Sequence, residues 1–199
     1  MFNLFDNLTN EEILKVKHFA KSDGWFNFEA FYKDVVENNN FSVFVEVGSW
    51  KGHSVISLAK ALLDKGDYFE LYAADWWDKL PKDNELWVEF SDQIPYLYNI
   101  YNYNLAKAQV RGHVFDLINA SDKSADFFKD GTVDFVFLDA SHDFKSVKRD
   151  IEAWKPKLRK GGILAGHDYH NGGVRPAIEA TLDHVFVVAG CDVWHTRIK

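Results

Sequence analysis

Residues 41–47, FSVFVEV, place apolar side chains on both faces of any strand they form, and such a strand is stable only when covered on both sides. A parallel sheet flanked by helices supplies that cover. The rest of the chain repeats the requirement. Gly48 ends the run, residues 54–63 (SVISLAKALL) have helical periodicity with Gly66 as a C-terminal stop, and residues 68–74 read as a second strand. Strands at 114–119, 133–138 (VDFVFL) and 163–165, with a helix at 144–154, continue the alternation. Strand and helix in turn predict a parallel sheet joined by right-handed crossovers. Two β-rich runs, 184–189 and 193–198, flank Gly190, Cys191 and Asp192 and predict a closing hairpin. Ahead of this core, residues 9–20 carry a hydroxyl cap at Thr9, an acidic first turn, and Ile13, Val16 and Phe19 at helical spacing. A second helical stretch, 28–36, runs into a polar connection at 37–40. Residues 1–40 therefore read as a helical cap and 41–199 as an α/β core, all in one domain, because a second core would leave each half marginal.

Composition narrows the function. The hydrophobic fraction of 47% and charged fraction of 27% are those of a globular chain. No window of about 18 apolar residues exists, and MFNLFDNLTNEE has neither the basic start nor the apolar stretch of a secretory signal, so a cytoplasmic protein without a membrane span is expected. A net charge of −7 disfavours binding to a phosphate backbone, which needs a basic stripe; no nucleic-acid partner is expected, and a small uncharged or cationic acceptor fits better. The lone cysteine, Cys191, cannot form an intrachain disulfide or a cysteine-based zinc cluster. Nothing in the sequence decides for or against a homo-oligomer.

The segment Glu46-Val47-Gly48-Ser49-Trp50-Lys51-Gly52 joins the first core strand to its helix, where the backbone must turn sharply beside a ligand. A dinucleotide fingerprint fails here, because Trp50 stands at the middle glycine and His53 at the last. What remains is an acid followed by Gly48 and Gly52, with Ser49 and Ser54 as polar neighbours. An acid suits a cofactor that presents an amine and a sulfonium, which favours S-adenosylmethionine over a nicotinamide. Asp75, at the end of the next strand, is placed to accept ribose hydroxyls, and Trp76 to cover the adenine; a turn-forming acid and a core tryptophan are the alternatives. Ala120 and Ser121, after Asn119, are weaker candidates for the adenine edge, since such residues also simply form turns.

Asp139 ends one strand and His167-Asp168 ends the next, so a parallel sheet brings them together at its carboxyl edge, with His142 one short turn beyond Asp139. The order EVGSWKG, YAAD, FLDASHDFKSVKRDI, LRKGGILAGHDY and GGVRPAI resembles class I S-adenosylmethionine-dependent methyltransferases over about residues 41–182. More narrowly it is similar to the Methyltransf_24 group, related to macrocin and other antibiotic-sugar O-methyltransferases and to cephalosporin-hydroxylase-like proteins. The resemblance implies a Rossmann-like, mostly parallel seven-stranded sheet with an antiparallel C-terminal hairpin and helices on both faces. It further implies methylation of a small hydroxylated acceptor, a sugar or a phenol. In metal-dependent members of the group, acids at the positions of Asp139 and of the His167-Asp168 pair hold a divalent cation. Here His167 replaces an acid, which softens the site and shifts it from Mg²⁺ towards Mn²⁺ or zinc. Ser141 stands where those relatives carry a further acid, so His142, whose imidazole titrates near neutrality, is the candidate base. Alternatively Asp139 only orients the cofactor amine, His142 caps the helix after it, and His167-Asp168 is structural. Two other functions stay open: the same fold with a hydroxylase-like reaction, and a non-catalytic cofactor-binding or assembly protein.

Aromatics are unusually frequent at 16%. Many fall in a long segment between the second and third strands, 76–110, with Trp87, Phe90, Tyr96, Tyr98, Tyr101 and Tyr103, where Pro95 breaks or kinks a helix. They form either one wall of the acceptor pocket or a helical cap packed on the sheet.

Overall fold

The computed structural model describes residues 5–21, 26–84 and 86–199. Its sheet is built from β1 (Val43–Val47), β2 (Glu70–Asp75), β3 (Val114–Ile118), β4 (Val133–Leu138), β5 (Leu158–Gly166), β6 (Phe186–Val187) and β7 (Trp194–Arg197). The spatial order is β3-β2-β1-β4-β5-β7-β6. The first five strands are parallel, β7 runs antiparallel to β5, and β6 pairs antiparallel with β7. Register aligns Val47 with Ala74 on one side and with Leu138 on the other, and Leu138 with Gly166. The residues that follow these four positions thus leave the sheet along one edge. Chain direction in the sheet order reverses between β1 and β4, which makes this edge the place where open α/β sheets bind ligands.

Alternation along the strands sends side chains to two cores. Phe44, Phe135, Phe137, Ile163 and Ala165 pack with α2 (Glu29–Asn38), α3 (His53–Lys65) and α5 (Leu97–Lys107). Val45, Val47, Val136, Leu138 and Leu164 pack on the other face with α7 (Phe144–Trp154) and α8 (Val174–Thr181). The short α4 (Leu86–Phe90) and α6 (Ser121–Ser124) lie in connections at the ligand edge. The dense apolar run at the start of the core is therefore covered on both faces, as its composition requires. Ahead of it, α1 (Asn10–Phe19) begins with a reciprocal capping box between Thr9 and Glu12. No helix among the described residues is long and apolar enough to cross a membrane.

Boundaries differ where side-chain pattern and backbone pairing disagree. The second strand begins at Glu70, because Tyr68 is 75% exposed and lies outside the ladder, and it extends to include Asp75. β5 begins at Leu158 rather than 163: Lys160 and Gly161 are irregular pairing, with a register shift opposite Val133 to Phe135, and polar residues there hide the strand from an apolar pattern. The hairpin is present but its first strand is reduced to two exposed residues, Phe186 and Val187.

The aromatic segment is held down by one carboxylate. Asp116, on β3, accepts hydrogen bonds from Tyr98 Oη (2.8 Å), Tyr101 Oη (2.9 Å) and Arg111 Nη1 (2.9 Å). Trp77 is buried against Tyr101, with ring centroids 4.6 Å apart, and its indole N–H donates to the Trp50 carbonyl at 2.9 Å. Two of the tyrosines thus pack as a cap on the sheet instead of facing an acceptor. Tyr101→Phe removes a buried bond to a charged group and is expected to lower unfolding stability by about 1.5–3 kcal/mol in urea titrations while leaving cofactor affinity unchanged.

Candidate active site

The turn after β1 is shaped by the protein's own backbone. Gly48 has φ +88°, and a Cβ on it would lie 2.0 Å from the Asp139 carbonyl oxygen. Gly52 has φ +83°, and its Cβ would lie 2.6 Å from Leu105 Cδ1 and 2.9 Å from Tyr101 Cδ2. Both glycines are therefore demanded by close packing of β1 against β4 and of α3 against α5. Gly52 is also the N-cap of α3 and offers no capping side chain, so the first amides of that helix lack a side-chain acceptor from the cap position.

Glu46 points into the core. It is 1% exposed, and its two oxygens accept hydrogen bonds from Ser54 Oγ and Tyr32 Oη, each at 2.7 Å. Burial pushes its carboxyl up to about 7, against the lowering effect of those two donors. Glu46, the acid expected to meet a cationic amine, ties α2, β1 and α3 together beneath the turn, and Ser54 is its partner on α3. Ser49 is buried beside them.

Asp75 is the second anchor of the turn. Its Oδ2 accepts the Trp50 amide at 2.8 Å and its Oδ1 the Trp77 amide at 3.0 Å. Burial raises its carboxyl, and backbone amides oppose the rise. Each oxygen keeps lone-pair capacity for a further donor such as a ribose hydroxyl. Of the adjacent tryptophans, Trp77 is core and Trp76 is 37% exposed, so Trp76 alone has a face free to cover a base. At the end of β3 the Ala120 amide donates to Asn119 Oδ1 at 2.9 Å, and Ser121 Oγ accepts Trp154 Nε1 at 3.4 Å. These two are partly committed to local structure.

At the acceptor edge four predicted residues do come together. Asp139 follows β4, and Asp143, not His142, caps α7, its Oδ1 accepting the amides of Lys145 and Ser146 at 3.0 and 3.1 Å. His167 and Asp168 follow β5, with Asp168 held at φ +56°, a conformation rare for a side-chain-bearing residue. His142 Nε2 lies 3.0 Å from Asp168 Oδ2 and 4.0 Å from Asp139 Oδ1. His167 Nδ1 lies 3.2 Å from Asp168 Oδ2 and 3.9 Å from Asp139 Oδ1. The Asp139 and Asp168 carboxylates push the His142 imidazole up to about 10, burial opposing them. Asp168 is held well below the usual carboxylate range by the two imidazoles, whereas burial raises Asp139. Burial lowers His167, but Asp168 and Asp139 outweigh it and leave the ring raised. His142 thus lies between two acids that favour its charged form.

One cluster among the described residues has its potential ligand atoms within 4.8 Å of one another: Asp139, His142 and Asp168. His142 Nε2 is buried and, despite its 3.0 Å distance from Asp168, lies outside hydrogen-bonding direction. The donor set, two carboxylates and one imidazole nitrogen, fits a divalent cation. His167, expected as a ligand, stands behind this set and packs its ring 5.0 Å from that of Phe28. Sequence reading gave no role to Gly173, where a Cβ would lie 2.1 Å from the His142 carbonyl oxygen. It lets α8 begin against the turn that carries His142. The quoted GGVRPAI string contains it, but only the distance shows its purpose.

A sheet of this order, with an antiparallel β7 and a glycine turn at the reversal point, defines a class I S-adenosylmethionine-dependent methyltransferase. The chain belongs to the Methyltransf_24 family, described as a methyltransferase domain, which matches residues 45–169, well over half of its length. Solved structures share the fold. The O-methyltransferase NovP superposes with a TM-score of 0.66 at 15% identity, covering 86% of this chain and 79% of that one. An O-methyltransferase from Bacillus cereus in complex with SAH gives 0.62 at 19% identity, covering 95% and 90%. CalS11, a TDP-rhamnose 3'-O-methyltransferase of calicheamicin biosynthesis, gives 0.59 at 14% identity, covering 95% and 80%. No curated protein matches the chain in sequence.

Two outcomes follow from the turn. Gly48→Ala must displace the Asp139 carbonyl as well as strain its own backbone, and is expected to lower stability by at least about 3 kcal/mol in denaturant titration. Glu46 titrates from about 7 when folded and from the ordinary 4.5 when unfolded, so the folded state holds the extra proton between these values and stability falls as pH rises through that window. Glu46→Gln removes this decline: urea unfolding at pH 5 and pH 8 is expected to show the variant gaining on the wild type at the higher pH, and a pH-independent difference contradicts the assignment.

Proposed function

We propose that the protein methylates the oxygen of a small hydroxylated acceptor, a sugar or a phenol, and that Asp139, His142 and Asp168 hold a divalent cation at the acceptor edge. The observation that supports this is the convergence of two carboxylates and one imidazole nitrogen within 4.8 Å of one another at the carboxyl ends of β4 and β5. Antibiotic-sugar and other small-molecule O-methyltransferases among the structural neighbours agree with it.

The reaction is an in-line displacement. The acceptor oxygen bonds to the methyl carbon as the carbon–sulfur bond breaks, the sulfonium sulfur departs as a neutral thioether, and the hydroxyl proton passes to water. The chain's share is alignment and exclusion of water. Asp75 would hold the ribose hydroxyls, the turn from Gly48 to Gly52, with Ser49, would bound the methionine end, and exposed Trp76 would cover the adenine, with Ala120 and Ser121 at its edge. A bound cation would lower the pKa of a coordinated hydroxyl. His142 would serve as the nitrogen ligand of this set, its Nε2 lying between the Asp139 and Asp168 carboxylates. One nitrogen donor beside two oxygens places Mn²⁺ ahead of Mg²⁺.

With labelled S-adenosylmethionine and a panel of sugar and phenolic acceptors, methylated product is expected with Mn²⁺, with a fall of at least about tenfold on chelation or in Asp168→Ala. Equal turnover in chelator and in Mn²⁺ removes the cation from the assignment; transfer to carbon or nitrogen acceptors alone removes the O-methylation.

A further inference from the structure

α7 is amphipathic, and its sheet-facing positions are Val147, Asp150, Ile151 and Trp154. An acid therefore stands where the helix otherwise buries apolar side chains. Asp150 is 4% exposed; Ser121 is a hydrogen-bond neighbour of its carboxyl, Arg149 Nε is 4.0 Å away, and its Oδ1 has no hydrogen-bond partner. Buried polar atoms in native proteins have partners, and an exception asks for one. On the opposite wall, Trp194 of β7 is 1% exposed and its indole Nε1 likewise has none. Its ring is fixed by Gly166, where a Cβ would lie 2.7 Å from Trp194 Cζ2.

Both residues line the same small cavity, about 10 Å³, enclosed by α7, α8 and the ends of β4, β5 and β7. Asp139, His142 and His167 line it too. Seven side-chain polar atoms among the described residues are buried without a partner, and four of them, on His142, Asp150, His167 and Trp194, belong to residues of this one cavity. His142 faces Asp168 at 3.0 Å, so the atoms that most need an occupant are Asp150 Oδ1 and Trp194 Nε1, and a single polar occupant answers for both. The volume matches one water molecule, whose usual complement of about three hydrogen bonds fits an indole donor, a carboxylate acceptor and one imidazole nitrogen. A cation held by Asp139, His142 and Asp168 answers for His142 alone and leaves Asp150 and Trp194 unexplained.

We propose that this cavity is the site of a resident water bonded by Trp194 Nε1–H and by Asp150 Oδ1, and that through it Asp150 is a positioning residue for the turn from Asp139 to His142. The water-site half stands alone; the positioning half rests on the cation assignment made above. Indirect support of this kind behind metal ligands is worth about 10–100-fold in metal affinity.

The test is nuclear magnetic resonance on the intact protein together with Mn²⁺ titration. Trp194→Phe identifies the indole resonance by its loss. The wild type is expected to show a rotating-frame Overhauser contact between water and Trp194 Hε1. The contact persists in Asp150→Asn, which keeps an acceptor oxygen, and disappears in Asp150→Leu. Mn²⁺ affinity falls at least about tenfold in Asp150→Leu and stays close to the wild type in Asp150→Asn. Absence of the water contact in the wild type overturns the water site. Wild-type Mn²⁺ affinity in Asp150→Leu overturns the positioning role. If Asp150→Leu does not fold, the same titration on Trp194→Phe decides, with weakened binding expected and unchanged binding contrary. A wild type that takes up no Mn²⁺ sinks the cation assignment and with it the positioning role, while the water contact still decides the site.

Discussion

The turn after β1 and the turn after β4 occupy nearly the same space. The Asp139 carbonyl passes where a Gly48 side chain would begin, the Gly48 amide donates to Ala74 at 2.8 Å, and the Asp139 amide donates to Val47 at 2.8 Å. The backbone ladders of β2, β1 and β4 thus continue one residue past the strands on both sides of the reversal point. This locks the cofactor turn and the first acid of the acceptor edge into a single relation. Methyl transfer draws most of its rate from holding donor and acceptor in line. On the proposed assignment the contact that closes the sheet at this point also sets the distance between donor and acceptor, and Gly173 seats α8 against the His142 turn on the far side.

Two carboxylates inside the sheet attach the variable parts to that frame. Glu46 binds Tyr32 of the N-terminal cap and Ser54 of α3, and Asp116 binds Tyr98, Tyr101 and Arg111 from the aromatic segment. A hydrophobic contact alone leaves a helix free to slide along an apolar face, whereas a buried carboxylate accepts from donors in fixed directions. The two additions to the core are thereby fixed in place. Asp75 does the same on a smaller scale, joining the cofactor turn to the chain after β2 through the Trp50 and Trp77 amides.

The sequence made the frame legible because strands covered on both faces are dense in apolar residues and because residues at strand ends share an edge in any parallel sheet. Asp75, Asp139, His167 and Asp168 were found by that rule. Strand β6 and the start of β5 were hidden, since their pairing is polar or irregular and leaves no apolar signature. The fate of Glu46 could not be read, because its partner Tyr32 belongs to a separate helix whose docking only the fold supplies. Tyr98 and Tyr101 were ambiguous for the same reason: Asp116 lies on another strand, and nothing local distinguishes a phenol bonded to it from one that faces solvent. For His142 the spacing from Asp139 was visible, but the approach to Asp168 depends on the left-handed turn at residue 168.

That turn also determines what the acceptor edge can hold. Two carboxylates this close repel, and the site must balance them with positive charge. His142 answers part of that need, since both acids favour its charged form while it lowers Asp168. On the proposed assignment a divalent cation held by Asp139, His142 and Asp168 would supply the charge, with the ring as a neutral nitrogen ligand. An imidazole suits this place because it carries positive charge when protonated and, near neutral pH, offers a lone pair to a metal when neutral.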